Sequence, residues 1–285
     1  MHDITALFCT IDDFFLKFET LYWEYLKQFE CRTRLRHTNL NLSEIILIAI
    51  WYKISHFSNF KAFYSYLKHT HADLFRCMPC YQRMVDLINM HKLALHALHF
   101  ALMKGNHSSR LWIDSTTLPV CKNQRIQQHK SLTKIASRGK SSMGWFFGCK
   151  LHVVMNAAGE LINTALSNGH IADIKMVEKL VTGLNAKLYA DRGYISKELW
   201  IKLKNQSVDL ITYQRKNMQT IELSKEDVHY LGQRNKIETL FSLLKGQYNL
   251  VTSKARSISG YLSGIYASLC AYQICHKNKP TIKMI

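Results

Sequence analysis

The sequence predicts an α/β protein in which a mixed sheet flanked by helices follows an all-helical N-terminal domain. In residues 1 to about 105, apolar side chains recur at helical spacing, whereas from residue 109 they follow the pattern of short strands. After three strands, helices and strands alternate, which predicts a sheet covered by helices. The boundary is expected near residues 105–109, with a helical domain over 1–105 and the α/β domain over 108–285.

The N-terminal domain is predicted from recurring aromatic and aliphatic residues. Phe14, Phe18, Leu21, Tyr22 and Tyr25 lie on one helical face. Further helices are expected at the start signal Asn41-Leu-Ser-Glu44, over Asn59 to Lys68 and over Tyr81 to Met103.

The second domain is predicted from strands that alternate with turns and helices. Strands are expected over Leu111–Val120, Trp145–Asn156, Glu160–Leu166, a segment ending before Asp191, and Val208–Tyr213. Helices are expected over Asp173–Leu184, through Leu199 and Ile201, at about 234–246 and at about 257–276. Three strands followed by helix, strand, helix, strand and helix is the order of an RNase H-like domain.

The uncharged stretch Ile258 to Cys275 has the length of a membrane span, but its serines and Gln273 lower its hydropathy. Small residues recur in it at helical spacing, so we expect a buried terminal helix that approaches a sheet closely. No membrane segment and no secretory signal is expected. The cysteines fall mostly in apolar segments, as in a reduced cytoplasmic protein.

The charge balance predicts a polyanionic partner. The chain has 38 Lys and Arg against 20 Asp and Glu, a formal net charge of +18, which favours nucleic acid. One segment, residues 121–144, contains no acid and carries six basic residues: Lys122, Arg125, Lys130, Lys134, Arg138 and Lys140. Contacts to a phosphate backbone would suit it, and a solvated loop is the alternative.

Three acids have the pattern of a site for divalent cations. Asp114 and Asp191 follow apolar strand residues, and Glu238 lies in a helical segment. Arg234, Glu238 and Lys245 fall within about 40° of one another on that helix. Carboxylates are the ligands that hard divalent ions prefer, so the set predicts metal-dependent phosphoryl transfer on DNA. A surface ladder of salt bridges remains an alternative for the helix alone.

Several motifs in fixed order resemble the DDE-type insertion-sequence transposases, in particular the nine-eight-two branch. They are Ile113-Asp114-Ser-Thr, Arg125-Ile126 with His129-Lys130, Arg138 to Gly148, Lys150-Leu-His152, Ala190-Asp-Arg192-Gly-Tyr-Ile195 and Arg234-x3-Glu238-x6-Lys245. The last matches the family signature Tyr-x2-Arg-x3-Glu-x6-Lys, except that Leu231 stands at the tyrosine position and Tyr230 lies one place early.

The resemblance implies a catalytic and metal-binding triad of Asp114, Asp191 and Glu238, holding two Mg²⁺ or Mn²⁺ ions. Expected DNA contacts are Arg234, Lys245, Lys130, Lys134, Arg138, Lys140 and Arg192. It also implies cleavage at terminal inverted repeats, attack of a 3′-hydroxyl on target DNA, a homo-oligomer on DNA and a place on the bacterial nucleoid. The helical domain would recognise the DNA ends.

Two alternatives stay open at this point. One is an RNase H-like nuclease that hydrolyses DNA without strand transfer, and the other is an inactive or domesticated DNA-binding remnant. The aromatic residues Trp145, Phe146 and Phe147 are expected to pack from their strand into the hydrophobic core, with stacking on DNA bases as the alternative.

Overall fold

The computed structural model describes residues 3–28, 39–103, 108–142, 144–214, 222–251 and 255–276. The chain forms two compact units, one of residues 1–102 and 244–285 and the other of residues 103–243. The described helices are α1 (Ile4–Gln28), α2 (Leu42–Ile54), α3 (Phe60–Thr70), α4 (Tyr81–Met90), α5 (Lys92–Leu102), α6 (Val177–Val181), α7 (Lys197–Asn205), α8 (Lys225–Gly232), α9 (Asn235–Gly246) and α10 (Ile258–Cys275). The strands are β1 (Arg110–Cys121), β2 (Ser137–Ser141), β3 (Gly144–Asn156), β4 (Leu161–Asn168), β5 (Ala186–Ala190) and β6 (Val208–Thr212).

Helix α2 is the buried centre of the helical unit. It begins with a capping box, in which the Asn41 side chain accepts from the Glu44 backbone N–H and the Glu44 side chain accepts from the Asn41 N–H. Its isoleucines Ile45, Ile46 and Ile48 are all at most 1% exposed. A short helix that is apolar on every side is stable only when other elements surround it.

The predicted single helix from Tyr81 to Met103 is two helices. α4 ends at Met90 and α5 begins at Lys92, with His91 between them. His91 is buried, and its Nδ1 lies 3.4 Å from the hydroxyl of Tyr22 on α1. No glycine or proline marks this break in the sequence, so periodicity alone predicted one continuous helix.

Helix α10 is buried as expected, and it packs against helices α2, α4 and α5. Ser263 Oγ donates to the Ile88 carbonyl at 3.2 Å, and Cys270 Sγ to the Leu95 carbonyl at 3.5 Å. The buried His99 Nδ1 and Gln273 Oε1 are 2.7 Å apart. The C-terminal segment therefore belongs to the helical unit, whereas the sequence placed residues 108–285 in one domain. Small residues allow close approach to either kind of neighbour, so the stripe did not identify the partner. The boundary predicted between the two domains, near residues 105–109, falls partly on residues 104–107, which lie outside the described residues.

The sheet of the second unit has the order β2-β3-β1-β5-β6, and β4 also pairs with β3. β1–β3 and β3–β4 are antiparallel, and β1–β5 and β5–β6 are parallel. A cluster of buried residues from β1, β3, β5, β6, α6 and α7 covers one face. The predicted mixed sheet flanked by helices, preceded by a helical region, is confirmed.

Three elements differ from expectation in this unit, and one of them is α8, for which no helix was predicted. The predicted helix Asp173–Leu184 is a 3-10 turn over Asp173–Met176 followed by the short α6. The segment 121–144, in which no strand was predicted, contains β2, which pairs with β3. Gly139 makes this possible, because a Cβ there would lie 2.2 Å from the Gly169 carbonyl oxygen.

No helix in the described part of the chain combines the length and apolar character that crossing a bilayer requires.

Candidate active site

Asp114 and Asp191 occupy equivalent positions on neighbouring parallel strands. The last register pair between β1 and β5 is Trp112 with Tyr189, and each aspartate follows two residues later in the chain, Asp114 within β1 and Asp191 just after β5. Parallel strands lie about 4.8 Å apart, so continuing this register brings the two backbones close together. The sequence predicted both acids at strand tips; Asp191 follows the end of β5 as expected, but that expectation was wrong for Asp114, which lies within β1.

Asp114 is a half-buried carboxylate. Its Oδ1 accepts from the Ser115 backbone N–H at 2.8 Å, and its Oδ2 lies 3.4 Å from Arg234 Nη1. Burial raises the pKa of Asp114 to about 6, although the Ser115 N–H and Arg234 oppose that rise, and Asp191 and Asp173 add to it. The charged form of the Asp114 carboxylate is therefore disfavoured in this position, and a cation beside it would stabilise that form.

Asp191 is exposed and caps the turn that follows β5. Its Oδ1 accepts from the backbone N–H of Arg192 at 2.7 Å. Arg192 is also exposed, and its guanidinium lies 6.0 Å from the ring centre of Tyr213. The acid is therefore held by its own turn and remains open to solvent.

Arg234 joins the strand acid to the helix acid. Its Nη1 contacts Asp114 at 3.4 Å and its Nη2 contacts Glu238 Oε1 at 3.2 Å. Helix α9 is oriented by its buried apolar face, which includes Ile237 and Leu240. Glu238 itself is 60% exposed, so the helix presents a solvated carboxylate near the half-buried Asp114.

The buried Tyr194 shows that several acids share one neighbourhood. Burial first, and then the carboxylates of Asp114, Asp173 and Asp191, raise the pKa of the Tyr194 phenol. In the described residues, no group of three or more His, Cys, Asp or Glu side chains is close enough to hold a metal ion. Arg234 supplies the positive charge between Asp114 and Glu238.

A cluster beside the acids was not singled out from the sequence. Asp173 Oδ1 accepts from Lys150 Nζ at 2.8 Å, and Lys150 Nζ also donates to the Ile171 carbonyl at 3.0 Å. His152 Nε2 and Ser167 Oγ are 2.8 Å apart. Burial lowers the pKa of His152 to about 4, with Asp173 opposing and Lys150 adding to the shift. The Lys150-Leu-His152 motif could have pointed to two residues of this cluster, Lys150 and His152. No sequence feature marked Asp173 as their partner.

The predicted DNA contacts fall into three groups. Lys130, Lys134, Arg138, Lys140 and Arg192 are exposed side chains of the sheet-containing unit. Lys245 lies in the last turn of α9, within the residue range of the helical unit, and burial lowers its pKa. Arg234, expected to contact phosphate, instead contacts two of the predicted catalytic acids.

The aromatic run of β3 divides between core and surface. Phe146 and Phe147 are buried, as core packing predicted, at 6% and 9% exposure. Trp145 is 53% exposed, so core packing was the wrong expectation for this residue.

Comparison with known proteins gives one family match. Residues 104–258, more than half of the chain, match the family described as Transposase DDE domain. Among solved structures, the chain is similar to a piggyBac transposase in a synaptic complex with hairpin DNA, at 11% identity and a TM-score of 0.48. That similarity covers 86% of this chain and 69% of the other. No curated protein sequence matches the chain significantly.

Proposed function

The chain belongs to the DDE transposase family, and from this premise we propose that Asp114, Asp191 and Glu238 form its catalytic site for DNA cleavage and strand transfer. The observation that carries the proposal is the meeting of residues from three distant segments. Asp114 and Asp191 each follow the last β1–β5 register pair by two residues, and Arg234 contacts both Asp114 and Glu238.

The three acids suit divalent cations, and we propose two Mg²⁺ or Mn²⁺ ions. All three offer hard, anionic oxygen ligands, and few are needed because substrate phosphate supplies more. Burial raises the pKa of Asp114, and the neighbouring carboxylates of Asp191 and Asp173 add to the rise, so a bound cation would stabilise the charged form. Bound ions would activate the attacking hydroxyl and stabilise the leaving oxygen of a phosphodiester.

The proposed reaction proceeds in two transfers at phosphorus. In the first, the oxygen of water bonds to a phosphorus at the element end, and the bond from that phosphorus to the 3′-oxygen breaks. The released 3′-oxygen takes up a proton and becomes a hydroxyl. In the second, this hydroxyl loses its proton and bonds to a target phosphorus, and a target 3′-oxygen leaves.

The chain's own residues position the DNA for this chemistry. Exposed Lys130, Lys134, Arg138, Lys140 and Arg192 would contact phosphates, with Lys245 as a further contact. Arg234 would hold Asp114 and Glu238 in place and offer its guanidinium to a phosphate oxygen. The proposed substrate is a pair of terminal inverted repeats of an insertion sequence, and bringing two ends together favours a homo-oligomer on DNA.

The proposal can be tested in a cleavage and joining assay whose substrate is a plasmid carrying the DNA that flanks the gene. With Mg²⁺, the native protein is expected to release 3′ ends and form covalently joined products. Asp114→Asn, Asp191→Asn and Glu238→Gln should each lower cleavage by more than about a hundredfold, because the loss of an outer-shell partner alone costs 10–100-fold. DNA binding should persist in all three variants.

The controls separate the alternatives. Asp209→Asn changes an exposed carboxylate of the same unit and should cleave like the native protein. Cleavage without joined products would indicate a nuclease, and binding without cleavage would indicate a remnant. Full cleavage by Asp191→Asn would remove that residue from the site.

A further inference from the structure

The hairpin of β2 and β3 has an outward face that is basic and aromatic. Arg138 and Lys140 on β2 are exposed, and so is Trp145, which pairs with Lys140 across the hairpin. The alternate positions, Gly139 and Phe146, are buried. The alternation of the two strands therefore places a tryptophan on the outward face beside two cations.

Two cations of β2 lie beside the Trp145 ring, and backbone contacts fix the hairpin that carries it. The Arg138 guanidinium lies 4.7 Å and the Lys140 ammonium 5.8 Å from its ring centre. Asn123 Nδ2 donates to the Trp145 carbonyl at 2.7 Å. On the inner face, Gly139 lies so close to Gly169 that a Cβ would overlap its carbonyl oxygen. The ring is thus presented from a strand whose backbone is fixed.

The charge of this surface is unbalanced. Neither Arg138 nor Lys140 forms an ion pair with a carboxylate anywhere in the described ranges. The adjoining residues 121–144 contain no acid. Two free cations beside an exposed indole complement a strand that has negative phosphates and flat bases.

We propose that Trp145 stacks on an unpaired DNA base, while Arg138 and Lys140 contact the flanking phosphates. This inference rests on the proposed function, because it assumes a DNA substrate. It adds a second place of contact on the same unit, outside the three acids.

The register relates this surface to the acids. Val153 is the partner of Asp114, and alternation along β3 puts Val153 and Trp145 on the same face, eight positions apart. Eight strand residues span about 26 Å, which is the rise of about eight base pairs. A strand that passes Asp114 therefore reaches Trp145 less than one helical turn of duplex away.

Fluorescence anisotropy with the full chain tests this. The probes are a fluorescein-labelled single-stranded oligonucleotide and the duplex of the same sequence. Trp145→Ala should weaken binding of the single strand about tenfold, within the range measured for base–aromatic stacking, and should weaken duplex binding less. Trp145→Phe should restore most of the affinity. The salt dependence should not change, since no cation is removed, whereas Arg138→Gln should reduce its slope by about one.

Trp200→Ala is the matched control. Trp200 is 44% exposed and has the Lys204 ammonium 4.7 Å from its ring centre, but it lies on α7. Its removal should leave both affinities unchanged. Equal single-strand affinity of folded Trp145→Ala and native protein would overturn the inference. Loss of self-association without DNA in Trp145→Ala would also overturn it, by indicating a contact between copies. Neither result depends on cleavage, so the proposed catalytic site would stand.

Discussion

Replacing Asp227 by alanine should destabilise the unit that carries the proposed catalytic site. Asp227 is 8% exposed and ties the start of α8 to β5, the strand that leads into Asp191. Its carboxylate accepts from Lys187 Nζ and from the Tyr189 hydroxyl, each at 2.9 Å, and from Ser224 Oγ at 2.7 Å. Burial pushes its pKa upward, but the donors from Lys187, Ser224 and Tyr189 outweigh burial and lower it.

The loss in free energy of unfolding can be estimated from the hydrogen bond that each donor loses in Asp227→Ala. Tyr189 is fully buried, so its unsatisfied hydroxyl costs about 1–3 kcal/mol. The ammonium of Lys187 is partly exposed, so its lost ion pair contributes less than about 1 kcal/mol. The lost Ser224 bond adds about 1 kcal/mol. The sum is about 3 kcal/mol, which corresponds to a fall in Tm of about 6–12 °C.

Thermal unfolding followed by circular dichroism measures this fall. Asp227→Asn keeps the shape and one acceptor oxygen, so it should lose less than Asp227→Ala. Asp209→Ala is the control, because Asp209 is exposed on β6. If Asp227→Ala lowers Tm no more than the control does, the donors around this carboxylate do not stabilise the unit.

Three further predictions test other contacts. Arg234→Gln should fold normally but cleave DNA about 10–100-fold more slowly, because Asp114 and Glu238 lose their shared partner; native rates in the plasmid assay would contradict this. Burial lowers the pKa of Lys53 to about 8, so the folded protein binds fewer protons than the unfolded chain between that pH and the ordinary pKa of 10.5. The Lys53 contribution to the free energy of unfolding should therefore rise through that window, by on the order of 3 kcal/mol in urea titrations, and Lys53→Met should remove the rise. Gly139→Ala should lower the free energy of unfolding by about 1–3 kcal/mol, because the added Cβ would overlap the Gly169 carbonyl. Gly232→Ala has open space around its Cβ and should not lower it. Equal stabilities of the two variants would refute the close approach of Gly139 and Gly169.

The strands next to the proposed acids could be predicted because each contains an apolar run that is followed directly by an aspartate, a residue that is rare in strands. Asp114 and Asp191 interrupt strand patterns, and Glu238 lies on a helix with a clear apolar face. Their proximity needed the parallel register of β1 and β5, which no local pattern encodes.

The missed elements have weak or concealed patterns. β2 reads Ser-Arg-Gly-Lys-Ser, and its inward residue is a glycine, so the buried face has no apolar side chain to reveal it. α8 is largely polar and is held by the Ser224 cap and by Asp227, contacts that only the fold creates. The bridging position of Arg234 was missed because its spacing to Glu238 suits a solvent-facing cation equally well.

The return of α10 to the helical unit has a consequence for how the protein can be divided. The sheet-containing unit is an insertion, since the polypeptide enters it after Leu102 and leaves it before Leu244. Deleting the last helix would therefore open the hydrophobic interior around α5 and strip His99 of Gln273, and would not simply shorten the part that holds the acids. Separating the two parts intact would require two internal cuts and a bridge to rejoin the helices.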